Sequence, residues 1–176
     1  EVAKHIQSEH HEIYFTSDEA VQYLKKVIYH LETYDLTTIR SGIPLYLLSK
    51  KVVEQFGLKV VMCGEGSDEL LGGYLYFKQS PSDNDFHNEC VSRVLNLHTS
   101  DVLRVDKCTM ANSLEARVPF LDLSLINAYM KIASSYKSHE SSSHNPSGIE
   151  KFILRAAFDE SNPIIPRTVL WRQKEQ

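Results

Sequence analysis

At 176 residues, with 42% hydrophobic and 24% charged side chains, the chain is long enough for one domain with an apolar core. A net charge of -4 and a pI of about 6.1 provide no basic field for nucleic acid or an anionic membrane, and no apolar run reaches the length of a membrane span. The three cysteines, Cys63, Cys90 and Cys108, are widely spaced without a CxxC pair, and the eight histidines are scattered. This usage points to reduced thiols and a cytoplasmic protein, and away from disulfides or structural zinc.

The opening EVAKHIQSEHHEIYF reads as the tail of a helix entering a short strand at residues 12–15. Thr16 and Glu19 form a capping box, after which Val21, Leu24, Val27, Ile28 and Leu31 recur at helical spacing. A second helix is expected from position 44 or 45 through 56, with Pro44 at its first position and Gly57 beyond its end. An apolar strand at residues 60–63 follows, broken by Gly64 and Gly66. Phe86, Cys90, Val91, Val94 and Leu95 mark a third helix, and Val102, Leu103 and Val105 begin a fourth. Asp122 is placed to cap another, burying Leu125, Ile126, Tyr129 and Met130. Residues 134–148, SSYKSHESSSHNPSG, are polar and read as a surface loop or insertion. Ile149, Phe152, Ile153, Ala156 and Ala157 make the last helix, ended by Pro163 and Pro166. Two strands are too few for a full sheet. The chain therefore reads as a helix-rich α/β piece, truncated at both ends, with further strands upstream.

The most informative run is KVVMCGEGSDELLGGY, residues 59–74. Strand, glycine turn and helix start is the layout that presents backbone N–H groups to an anion at the carboxyl end of a strand. Its acids, Glu65, Asp68 and Glu69, repel bare phosphate, so a ligand there arrives with a divalent cation or presents an ammonium or adenosine group. Acids in a first helical turn also serve as caps and compensate the helix dipole. Pattern alone does not choose between a site and an ordinary connection.

The stretch GEGSDELLGGYLYF resembles the nucleotide-site segment of the glutamine-hydrolysing asparagine synthetase family. LETYDLTTIRSGIPLYLLSK (31–50), VLRVDKCTMANSLEARVPFLD (102–122), and IEKFILRAAF with LWRQKEQ (within 149–176) resemble the same family in the same order. The likeness covers nearly the whole chain apart from the serine-rich residues 134–147. It implies an adenine nucleotide alpha hydrolase-like (ATP pyrophosphatase) fold with parallel strands, of which residues 1–176 are part of the ATP-dependent ligase domain. The implied reaction is asparagine biosynthesis: aspartate attacks ATP to give β-aspartyl-AMP and pyrophosphate, and ammonia from glutamine then displaces AMP. The glutaminase domain and a pyrophosphate loop of the form SGGxDSS are expected upstream, so the chain by itself is expected to be inactive.

The resemblance also assigns roles. Cys63 and Gly64 match the ATP-contacting pair; relatives commonly carry serine at the first position, and cysteine keeps the backbone contact but loses a good hydroxyl donor. Glu65 matches the glutamate associated with forming the aspartyl-AMP intermediate, and Asp68 the Mg²⁺-binding aspartate. Thr37 and Arg40 match positions near aspartate and nucleotide, Arg40 being suited by its fork to a carboxylate, or else to a structural pair with Asp35 or Glu32. Arg104 resembles a further substrate-side arginine, or is a helix surface charge, and Lys174 matches the lysine facing the phosphates. Arg117 reads as ordering its loop through Glu115 or Asp122, and Trp171 as packing. Glu65, Lys174 and Arg40 are thus the catalytic set, with ATP and Mg²⁺ as cofactors. Aspartate, ATP and ammonia are the small-molecule partners, and a homodimer is the candidate assembly. Two rivals stand beside this reading, a β-lactam synthetase-like enzyme and a catalytically dead interaction module. The TTIR and WRQKEQ blocks oppose the first, and the retained Glu65, Asp68, Arg40 and Lys174 oppose the second.

Overall fold

The computed structural model describes residues 1–139, 143–160 and 164–174. Its elements are, in chain order, α1 (Val2–His5), α2 (Ser17–Leu31), α3 (Leu36–Phe56), β1 (Val60–Met62), α4 (Ser67–Leu71), α5 (Asp83–Asn96) and α6 (Asp101–Met110), then β2 (Glu115–Arg117), α7 (Leu123–Met130), α8 (Phe152–Ala157) and α9 (Arg167–Leu170). They fall into two compact units: a sheet unit of Glu12–Gly66 and Leu95–Asp122, and a helical unit of Glu1–His11, Ser67–Val94 and Leu123–Gln176.

In the sheet unit, Thr16 Oγ1 accepts a hydrogen bond from Glu19 N at 3.1 Å and starts α2, as its capping box predicts. Helix α3 begins well before Pro44. Asp35 Oδ1 accepts from Thr38 N at 2.7 Å, and the helix runs through the proline to end at left-handed Gly57. An interior proline removes one backbone hydrogen bond, but the Asp35 cap and the burial of Ile39, Tyr46 and Leu47 outweigh that defect. Val27 and Leu31 of α2, Ile39, Tyr46 and Leu47 of α3, and Cys108 of α6 form the core.

The sheet is a parallel pair in the register Val60↔Glu115, Val61↔Ala116 and Met62↔Arg117. Cys63 N extends the ladder to Arg117 O at 2.9 Å. Strand β2 carries two charges in three residues, so no apolar period announces it; the backbone ladder to β1 makes it a strand. The strand expected at residues 12–15 does not form. Tyr14 and Phe15 are exposed there, and without a paired edge an extended run lacks the ladder that stabilises it.

In the helical unit, Phe77, Phe86 and Cys90 pack with Tyr74 and Met130. The polar stretch expected on the surface is partly interior: Lys137, Ser138, His139 and Asn145 are buried. The Asn145 amide explains how, since its Nδ2 donates to Ser138 O at 3.1 Å and Ile149 O at 2.9 Å while its Oδ1 accepts from Ile149 N at 3.3 Å. One side chain thus satisfies the backbone groups that burial would strand. On α7 only Tyr129 is fully buried, and Leu125 is exposed. Helix α8 starts at Phe152, after Lys151 turns the chain with φ of 57°, and Pro166 caps α9 instead of ending α8. Pro163 lies outside the described residues. Among the described residues no helix is long and apolar enough to cross a membrane.

Candidate functional site

The predicted residues fall on both units. In the sheet unit, β1 delivers Cys63 and Gly64 into the turn, and Gly66 closes it at a φ of 85°. A Cβ on Gly66 would also overlap Leu121, so the turn requires glycine twice over. Glu65 is placed between these glycines, with its carboxylate 3.8 Å from the Arg104 guanidinium. Arg104 is in turn held by Asp101 at 2.5 Å, and its side chain is only 13% exposed. That burial excludes a helix surface charge. The structure therefore brings together Glu65 and Arg104, and it adds Asp101, which sequence reasoning had not singled out.

Thr37 and Arg40 lie on the first turns of α3, both exposed. The alternative pairing of Arg40 with Asp35 or Glu32 does not occur. Asp35 caps Thr38, Glu32 pairs with Lys107 at 2.6 Å, and Arg40 enters no ion pair among the described residues. Arg117 pairs with Glu115 at 2.8 Å, two residues apart within β2 and both exposed, so the contact is a surface pair on the strand. Trp171 packs on Phe152, ring centroids 5.7 Å apart.

In the helical unit, Asp68 on α4 is the focus. The ammonium groups of Lys151 and Lys174 each lie 3.0 Å from its Oδ1. Lys151 also donates to Ser67 Oγ at 3.1 Å, and Lys174 lies 5.4 Å over the Tyr74 ring, whose hydroxyl donates to buried Glu69. Burial pushes the Asp68 carboxyl up, but the hydrogen bonds and charges of the two lysines outweigh it and hold the group below the usual aspartate range. A cavity of about 380 Å³ opens beside them, lined by Glu150, Lys151, Arg155, Arg172, Gln173 and Lys174. Lys151 and Lys174 share the single carboxylate of Asp68 and Arg155 is paired with Glu150, so with Arg172 the lining keeps a net positive charge that suits a polyanion.

Lys151 was missed at the sequence level. In sequence it falls inside the helix expected to start at Ile149, and no local pattern marks its pairing with Asp68, 83 positions earlier.

The sequence profile described as Asparagine synthase matches residues 1–86 and 78–176, which together span the chain. The chain belongs to the asparagine synthase family. It is 53% identical over 180 aligned residues to "Asparagine synthetase [glutamine-hydrolyzing] 1" of Saccharomyces cerevisiae, covering 99% of this chain and 31% of that protein. Against "Probable asparagine synthetase [glutamine-hydrolyzing]" of Schizosaccharomyces pombe the identity is 52%, with 99% and 31% covered. Against "Asparagine synthetase [glutamine-hydrolyzing] 3" of Arabidopsis thaliana it is 46%, with 100% and 30% covered. The chain thus spans about a third of the length of the curated relatives it matches. As a member of the asparagine synthase family it presents a helix-rich α/β architecture with a small parallel sheet.

Proposed function

We propose that this chain is part of the ligase domain of a glutamine-hydrolysing asparagine synthetase with the adenine nucleotide alpha hydrolase-like fold. The glutaminase domain and the SGGxDSS pyrophosphate loop would be supplied by the remainder of a longer cytoplasmic protein, with a homodimer as its candidate assembly. The observation that carries the reading is the pair of lysines on Asp68 beside a cationic cavity. Adenylation needs that chemistry. As a carboxylate oxygen of aspartate attacks the α-phosphorus, the bond to the β-phosphate oxygen breaks and negative charge gathers on departing pyrophosphate. Lys174 and Lys151 would hold it.

Cys63 and Gly64 would contact ATP through backbone atoms. Thr37 and Arg40 would orient aspartate, its carboxylate matching the guanidinium fork. Glu65 would serve formation of the aspartyl-AMP intermediate and then orient ammonia, or accept its proton as the C–N bond forms and AMP leaves, with Arg104 holding the carboxylate in place. Among the described residues no cluster of three metal-ligating side chains occurs. Mg²⁺ typically takes one or two carboxylates and completes its shell with water and substrate phosphates, so the single carboxylate of Asp68 fits it. Asp68 would be the residue that holds the ion, beside the two lysines. When bound, it would neutralise phosphate charge.

The test is an isotope experiment on the full-length protein with aspartate carrying ¹⁸O in its side-chain carboxylate. The label is expected in AMP. Label in inorganic phosphate, accompanied by ADP, would replace adenylation with phosphorylation and overturn the reading.

A further inference from the structure

Arg155 has no substrate-facing duty in this reading, yet three of its nitrogens are engaged inside the helical unit. Its Nε donates to the carbonyl of Glu150 at 2.8 Å, Nη1 donates to the carbonyl of Leu170, and Nη2 donates to the carboxylate of Glu150. Glu150 is 1% exposed and the Arg155 side chain 15%. The acceptors are placed to matter. Glu150 directly precedes Lys151, and Leu170 closes α9 just before the segment carrying Lys174. One planar group therefore ties together the two backbone stretches that deliver the two lysines to Asp68.

The backbone of Lys151 carries a second sign of restraint. Its φ of 57° and ψ of 29° put a non-glycine residue in the left-handed region, a conformation that persists only where the surroundings over-determine it. From that backbone its Nζ meets Asp68 Oδ1, where Lys174 also arrives. Two ammonium groups on one oxygen repel each other, and each is strongly hydrated on a flexible stem. Without fixed backbones at both ends, at least one would leave for water.

We infer that Arg155, anchored by buried Glu150, is a positioning residue that holds Lys151 and Lys174 on the same oxygen of Asp68. The inference rests on the reading of that cluster as part of the ligase site. The fork of a guanidinium can span two carbonyls and a carboxylate at once, which a lysine ammonium at the same position cannot.

Arg155→Lys in the full-length protein is the test, because it keeps a positive charge against Glu150 and avoids stranding a buried carboxylate. Three results are expected. Trace acetic anhydride labelling of the ligand-free protein, read by mass spectrometry, should modify Lys151 and Lys174 faster than in the parent, with other lysines unchanged. Aspartate-dependent pyrophosphate release should fall by about a hundredfold, the scale of a small misplacement of catalytic charge. The same substitution added to Lys174→Ala should cost much less than it does alone, since a residue acting through another is non-additive with it. Unchanged labelling of both lysines, or an undiminished loss in the Lys174→Ala background, would overturn the inference. Faster labelling with unchanged pyrophosphate release would leave the tether standing and overturn the reading of the cluster as ligase machinery. If Arg155→Lys does not fold, Glu150→Gln, which weakens the anchor but leaves the guanidinium, is expected to accelerate the same two labelling rates, and unchanged rates there overturn the inference.

Discussion

Gly73 and Asp68 approach each other more closely than any other residue at position 73 would allow. A Cβ built on Gly73 would overlap Asp68 Oδ1 and the Cε of Lys151, while Gly73 N donates to the Asp68 carbonyl at 2.7 Å. The glycine is therefore the floor on which the lysine–carboxylate cluster rests. Gly73→Ala is expected to displace Lys151 and Asp68 and to depress pyrophosphate release in the full-length protein by more than tenfold, on the order of 2 kcal/mol of misplacement. A near-parental rate from Gly73→Ala would mean that the cluster's geometry is irrelevant to turnover.

Lys174→Ala should depress pyrophosphate release far more than glutamine hydrolysis in the full-length protein. Loss of one preorganised charge contact costs roughly 3 kcal/mol, a factor on the order of a hundred in rate. Lys174→Arg is not expected to rescue it, because a planar fork does not fit a point-charge position over the Tyr74 ring. Equal losses in both half-reactions would identify Lys174 as a folding residue.

Glu65→Gln keeps size and hydrogen bonding but removes the charge facing Arg104. ATP should bind with similar affinity, by equilibrium dialysis, while β-aspartyl-AMP formation and asparagine output both collapse. Near-parental asparagine formation with ammonia supplied would reduce Glu65 to a turn residue.

His139 provides a pH test of the helical unit. Its ring is buried, edge-on to Phe86 at a centroid distance of 5.8 Å. Burial lowers its pKa below the ordinary histidine value. The folded form thus resists a proton that the unfolded chain accepts below about pH 6.5, so the contribution is present above that pH and is lost as pH falls toward the folded value. His139→Leu should flatten the decline of the full-length protein's urea midpoint between about pH 6.5 and 5. An identical decline in parent and variant would contradict the buried neutral ring.

Local rules made α2, the end of α3 at Gly57 and β1 legible in the sequence, because caps, apolar period and glycine stops act within a few residues. The motif that carries Glu65 and Asp68 was equally legible, as was Lys174, though only through its likeness to a family. Tertiary structure decided the rest. Strand β2 depends on a ladder to β1 more than fifty residues away, and no local period marks it. The start of α3 before Pro44 depends on core burial that outweighs a proline. Polar residues 137–139 go inside because Asn145 satisfies backbone groups that composition cannot reveal. Lys151 stayed hidden for the same reason, since its chemistry lies in a charge pairing with Asp68, which is distant along the chain. Short-range forces are written in neighbouring letters, whereas ion pairs and sheet ladders join residues whose separation in sequence carries no signal of their contact.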